Sequence, residues 1–109
     1  MPLNNPGGGG PLSQSDVTAS RAIDGTAYHN TGATARYVLV SIEYISGVAN
    51  NVEAFSDGNA NPTLRVAYTG KNNFSGVTRG AIFFIVLPGN YYKVFQSGGA
   101  TLAVWIEYE

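Results

Sequence analysis

From Asp16 onward, short apolar segments alternate with clusters of Gly, Asn, Asp and Ser, and no segment sustains the 3.6-residue spacing of an amphipathic helix. Arg36 to Ile45 (RYVLVSIEYI) sets Val38, Val40, Ile42 and Tyr44 on one face, with Ser41 and Glu43 on the other, the period-two pattern of a half-buried strand. Asn51 to Ser56 and Thr63 to Thr69 flank the turn-rich Asp57-Gly58-Asn59-Ala60-Asn61-Pro62, which predicts a hairpin. Arg79 to Leu87 (RGAIFFIVL) is apolar on both faces, as suits a central or interface strand. Pro88-Gly89-Asn90 predicts a turn, Tyr91 to Gln96 a strand, and Gly98-Gly99 another turn. Thr101 to Glu109 alternates, placing Leu102, Val104, Ile106 and Tyr108 against the sheet and Trp105 on the opposite side.

With Val17 to Ile23 and Thr26 to Asn30, the segments add up to about eight strands, rich in Val, Ile, Thr and Tyr. Turn signals at such short spacing predict an all-β domain, a sandwich, jelly roll or barrel, and eight antiparallel strands favour the jelly roll. Met1 to Ser15 stands apart: it holds three of the five prolines and the run Gly7 to Gly10. It reads as a flexible arm or linker ahead of a single β-sandwich domain over 16–109.

Composition narrows the function classes. The 109 residues suit one domain, and the absence of cysteine removes disulfides, thiolate metal sites and cysteine nucleophiles. A single histidine removes any site that needs two imidazoles. Six Lys and Arg against seven Asp and Glu give a net charge of −1, too little positive charge for a phosphate-binding face, so no nucleic-acid partner is expected. No apolar run reaches the roughly 18 to 20 residues of a membrane span. Met1 to Asn5 shows neither the basic nor the apolar region of a signal peptide. Charged residues make up 12%, about half the usual share, with 44% hydrophobic and 12% aromatic. Interfaces are depleted in charge and enriched in aromatics, so this balance predicts a homo-oligomer.

Candidate chemistry is sparse. Asp57, Asn59 and Asn61 occupy the first three ligand positions of a calcium loop, but Pro62 stands where that loop needs Gly and Tyr68 where it needs a bidentate Glu. A hairpin turn is the simpler reading, and no cofactor or metal is expected. His29 has no Gly-x-Ser-x-Gly elbow to serve, and reads as a strand-end residue. Glu107 and Glu109 share a strand face near a terminus and should be solvated; Glu43 and Glu53 would face each other across strands on a solvated surface. Neither pair makes the two-carboxylate cleft of a glycosidase. Gly7 to Gly10 lacks the strand and the Lys-Ser/Thr of a phosphate loop. Asn73-Phe74-Ser75 is formally a glycosylation sequon within the Asn-rich loop Lys71-Asn72-Asn73-Phe74. That loop reads as an ordinary turn with Phe74 on the core, or as a sugar-binding loop of amides beside an aromatic ring. Phe83 and Phe84 point to opposite faces, so one of them needs cover from a loop or another subunit. Trp105, Phe83, Phe84 and Tyr92 read most simply as core, and Phe83, Phe84 and Trp105 are the candidates for a subunit interface.

Asp16-Val17-Thr18-Ala19-Ser20-Arg21-Ala22, then Tyr28-His29-Asn30-Thr31-Gly32, then Val86-Leu87-Pro88-Gly89 with Tyr92 and Val94, and last Leu102, Trp105 and Glu107 occur in an order of their own. This order resembles the C-terminal β-modules of tailed-phage and prophage fibre or tail proteins, over nearly the whole of 16–109. The resemblance implies a small, often trimeric β-sandwich on a virion, made in the host cytoplasm, and it brings no catalytic residue. Such modules follow long fibres, so this chain would be either a separate small virion protein or a fragment. Function is then expected to be that of a non-enzymatic viral structural protein, a trimeric tail-fibre tip or receptor-binding knob. Pro6, Gly7, Gly8, Gly9, Gly10 and Pro11 would form an arm attaching it to other virion proteins. Asp57, Asn59, Asn61, Lys71, Asn72, Asn73 and Phe74 would contact the host surface, with carbohydrate as the partner. The alternatives are a capsid-decoration protein and a free lectin-like module.

Overall fold

A computed structural model describes residues 12–45, 47–72 and 78–109. Pro6 to Pro11 of the expected arm, and Asn73 and Phe74, lie outside the described residues. Eight strands follow in chain order: β1 (Gln14–Asp16), β2 (Tyr28–His29), β3 (Arg36–Tyr44), β4 (Asn50–Asp57), β5 (Arg65–Lys71), β6 (Thr78–Val86), β7 (Tyr91–Ser97) and β8 (Thr101–Tyr108).

They form two four-stranded antiparallel sheets, ordered β1-β8-β3-β6 and β2-β7-β4-β5. The pairs β1:β8, β2:β7, β3:β6 and β4:β5 are the rungs of one long antiparallel ribbon. Rolling that ribbon brings β3 onto β8 and β4 onto β7, which is the jelly-roll topology. The expected fold is the observed one.

The alternating strands fill the space between the sheets. Val38, Val40, Ile42 and Tyr44 of β3, with Ile82, Phe84 and Val86 of β6, meet Val52 and Ala54 of β4 and Tyr92 and Val94 of β7. These side chains are buried, and β-branched residues suit a pleated surface packed on one side.

Three local expectations need correction. In β8, Ile42 pairs with Leu102 and Ser41 with Val104, so Ala103 is an extra, unopposed residue. One such bulge reverses the in-out alternation beyond it. Trp105 (0% exposed) and Glu107 (4%) therefore point inward, while Val104 (39%) points outward. Phe84 is 3% exposed. Trp105 and Phe84 are covered by their own chain, so neither is available to a neighbouring subunit; Phe83 alone of the three remains at the surface, 54% exposed.

Second, Val17 to Ile23 is not a strand. Asp16 Oδ1 accepts hydrogen bonds from the backbone N–H (3.0 Å) and hydroxyl (2.6 Å) of Thr18, turning the chain into a short 3-10 turn, Thr18–Ser20. Asp24 and Thr26 repeat the arrangement at 3.0 and 2.6 Å. In both cases a short acidic side chain competes with ladder bonding and bends the backbone. Third, the sheet starts earlier than Asp16: Ser13 exchanges backbone hydrogen bonds with Glu109 (2.7 and 3.0 Å), and Gln14 and Ser15 belong to β1.

Candidate ligand-binding surface

The outer faces of the two sheets differ in chemistry. On β2-β7-β4-β5 three aromatic rings have a polar companion, while Phe95 of β7 stands exposed beside Gly25. The Arg65 guanidinium lies 5.4 Å from the Tyr68 ring centroid, Lys93 Nζ 5.3 Å from that of Phe55, and His29 stacks on Tyr91 at 3.9 Å. These contacts restrain the rings while leaving them at least partly open to water.

At one end of this face lies a cleft of about 480 Å³ lined by Ala49, Asn51, Tyr68, Gly70, Lys71 and Asn72. Its platform is Tyr68, 56% exposed on the edge strand β5. The Tyr68 hydroxyl donates to Asn51 Oδ1 at 2.8 Å, pinning the ring across the strand pair. Asn51 is paired with Gly70, and a β-carbon at Gly70 would stand 2.9 Å from the tyrosine oxygen and 2.8 Å from Asn51 Oδ1. Only glycine leaves room for this ring to lie down. Arg65 is fixed in turn by Glu53, at 2.9 Å. The result is a fixed aromatic face beside two amides and an ammonium group, of a size suited to a small ligand. An exposed aromatic face offers stacking to an apolar ring face, and the amides offer hydrogen bonds to hydroxyls.

The structure puts Lys71 and Asn72 in this cleft, and places Asp57, Asn59 and Asn61 elsewhere. Asn50 is opposite Lys71 at one end of β4, and Asp57 is at the other, about 20 Å away at the usual rise per residue. The two expected contact loops are therefore not one site. The Asp57 carboxylate is spent on its own turn: it accepts from the backbone N–H of Thr63 (2.9 Å), Asn59 (2.8 Å) and Leu64 (3.1 Å). These bonds hold its pKa below the ordinary value. Asn61 accepts from Lys93 Nζ at 2.7 Å. The hairpin reading of this segment fits, and no group of three or more His, Asp or Glu suited to a metal ion occurs among the described residues.

Tyr68 and Asn51 were not singled out by the sequence. The available signal was Tyr68-Thr69-Gly70 near the end of a strand, since an aromatic two residues from a glycine tends to cover it.

The other polar cluster is internal. Glu107 was expected to be solvated; the Ala103 bulge turns it inward instead. Its Oε2 accepts from Tyr92 Oη (2.6 Å), Trp105 Nε1 (3.0 Å) and Arg21 Nε (3.1 Å), and its Oε1 accepts from Arg21 Nη2 (3.0 Å). Arg36 Nη1 lies 3.6 Å from Oε1, donates to Tyr92 Oη at 2.8 Å, and its Nε and Nη2 reach Glu109. Burial pushes the Glu107 carboxyl up, but the hydrogen bonds from Arg21, Tyr92 and Trp105 outweigh it and hold the pKa below the ordinary value. Burial first, then the adjacent Glu107, pushes Tyr92 up to about 12. A carboxylate this well supplied with donors is a poor acid or base, so the cluster ties the Arg21 segment to both sheets.

Glu43 and Glu53 do not face each other: they lie on different sheets, paired with Arg79 (3.3 Å) and Arg65 respectively. His29 is exposed, with Nε2 3.1 Å from the Gly89 carbonyl. Among the described residues no helix is long and apolar enough to cross a membrane. In comparisons with known proteins, no family model and no curated protein matches this chain.

Proposed function

We propose that the chain is a non-enzymatic structural module of a phage particle, which contacts carbohydrate on the host surface through the Tyr68 cleft. The observation that carries this reading is the pinned, exposed Tyr68 ring beside Asn51, Asn72 and Lys71. The jelly roll supplies a rigid base, with the platform on strands rather than on a loop. The similarity of the DVTASRA, Pro-Gly and Trp-x-Glu segments to tail-fibre modules adds the virion setting and the three-fold assembly.

The test is an array of bacterial surface glycans probed with the wild-type chain and with Tyr68→Ala. Truncating an aromatic anchor costs about 2 kcal/mol or more, roughly thirtyfold in Kd, so binding should fall below detection in the variant. Tyr68 is exposed, so the fold should survive, as checked by circular dichroism. Undiminished binding by a folded Tyr68→Ala chain would move the ligand away from the cleft. An empty array would favour the second reading, a capsid-decoration protein, for which the exposed Phe83, Ile85 and Val104 on the outer face of the β1-β8-β3-β6 sheet speak.

A further inference from the structure

Across the outer face of β2-β7-β4-β5, the strand register sets Tyr68 of β5, Glu53 of β4 and Phe95 of β7 in one row, and a bridge to Phe95 adds Asp24 at its end. An exposed phenylalanine is ordinary by itself. This one stands in line with the platform of the cleft and is seated in the same way. A β-carbon at Gly25 would come 3.2 Å from the Phe95 ring, as one at Gly70 would come 2.9 Å from the Tyr68 hydroxyl. Each ring thus lies over a glycine, and each side chain keeps about half its surface in water, 46% for Phe95 and 56% for Tyr68.

The two rings are carried two strands apart, about 10 Å at the usual spacing. That is more than one sugar ring covers and close to the reach of two joined ones. Between them stands Glu53, held by Arg65 Nη1 at 2.9 Å. A carboxylate has more acceptor sites than one arginine bond uses, so Glu53 can also accept from hydroxyls. Asn51 and Ser97, paired with each other in the next row, bring further hydrogen-bonding groups alongside.

We propose that Phe95 is a second stacking position of the Tyr68 site, which thereby takes a stretch of two or more sugars that crosses β5, β4 and β7 and carries no acidic group. The charge class follows from the neighbours. A carboxylated or phosphorylated sugar on Phe95 would stand between the Asp24 and Glu53 carboxylates, a like-charge contact that opposes binding. Arg65 and Lys93, the cations of the adjoining row, are already engaged, by Glu53 and by Asn61 at 2.7 Å. This inference rests on reading the Tyr68 cleft as a carbohydrate site, and adds the length and charge of what it binds.

NMR titration of the isotope-labelled full chain tests it. The probes are the mono-, di- and tetrasaccharides of glucose, galactose, mannose and N-acetylglucosamine, with glucuronic-acid-containing tetrasaccharides as the acidic counterpart. In at least one neutral series the tetrasaccharide should bind about tenfold tighter than the monosaccharide, the worth of a second ring contact. Phe95→Leu keeps apolar cover over Gly25 and removes the ring. It should cancel that gain and leave the monosaccharide affinity unchanged, whereas Tyr68→Ala should abolish both. Phe95→Ala provides the same test should Phe95→Leu fold poorly. Equal affinity for mono- and tetrasaccharide, or a tetrasaccharide bound as tightly by folded Phe95→Leu, overturns the second position and leaves the Tyr68 cleft standing. A preference for the acidic tetrasaccharides overturns the charge class. No binding in any series overturns the carbohydrate reading and this inference together.

Discussion

Glu107→Gln removes one charge from the interior and keeps the side chain's size. The amide has one acceptor oxygen where the carboxylate had two. If that oxygen stays toward Tyr92, Trp105 and Arg21 Nε, the NH2 group is aimed at Arg21 Nη2, a donor now 3.0 Å from an acceptor. A lost charge-assisted hydrogen bond is worth about 1.5–3 kcal/mol, and the donor facing a donor adds about 1–3. Arg36 keeps Glu109, and Arg21 keeps its Nε bond to the remaining oxygen, while its Nη2 is left with only the longer bond to Tyr92. Solvent reaches part of Arg21, 17% of its side chain, which brings the sum to the low end, about 3 kcal/mol. For a domain of this size that is roughly 12–20 °C in Tm. Urea unfolding at pH 7 measures it directly. The pH dependence adds a sign. Glu107 has its folded pKa lowered from 4.5, so its contribution is complete above that value and is lost as pH falls through the lowered one. The gap between wild type and Glu107→Gln should therefore be constant near neutrality and close on acidification. A gap under about 1 kcal/mol at pH 7, or one that persists unchanged into strong acid, would refute the reasoning.

Two further substitutions probe the β3–β4 end of the sandwich. Gly98 has φ +92° and a β-carbon there would collide with the Ala49 carbonyl oxygen, so Gly98→Ala should cost about 3 kcal/mol or more; a variant with wild-type urea midpoint would contradict this. Asn50 is fully buried; its amide donates to the carbonyls of Ile45 (3.2 Å) and Val48 (2.8 Å) and accepts from Ile45 N–H (3.3 Å). Asn50→Ala should cost about 2 kcal/mol and speed amide exchange at Ile45, and unchanged exchange at that amide would count against the assignment.

The class and the seven strands from β2 to β8 were legible because Gly and Pro mark the turns and β3 alternates without interruption from Val38 to Tyr44, whereas β1 lay in the segment read as an arm and Val17 to Ile23 was counted in its place. What escaped were features set by geometry without a residue signature. Ala103 is an unremarkable residue in a regular pattern, and only the pairing of β8 with β3 shows it to be extra. The Asp-x-Thr turns at Asp16 and Asp24 were readable in principle, but the Val and Ile around them made a strand the stronger local reading. Arg21 and Glu107 stand 86 positions apart, beyond the reach of any local pattern. The cleft was half legible: Lys71 and Asn72 were found by loop composition, whereas Tyr68 and Asn51 become a site only through the register that sets Gly70 between them.

The bulge at Ala103 links the interior to the surface. With strict alternation from Leu102, the residues Val104, Ile106 and Tyr108 would all enter the core and Trp105 and Glu107 would face water. One added residue exchanges the two sets. Inside, it supplies the indole and carboxylate that bind Tyr92 of the opposite sheet and Arg21 of the segment after β1, so the same step closes the sandwich at that end. Outside, it aligns Val104 with Ser41 and Ile106 with Leu39, completing an apolar surface that β3 and β6 alone would leave narrow. A bulge retained for core packing alone would gain nothing from apolar residues at the exchanged outward positions, where Thr or Lys would serve as well. That these positions are Val, Ile and Tyr is best accounted for if the outer face is itself packed, as the sandwich interior is, against another protein surface.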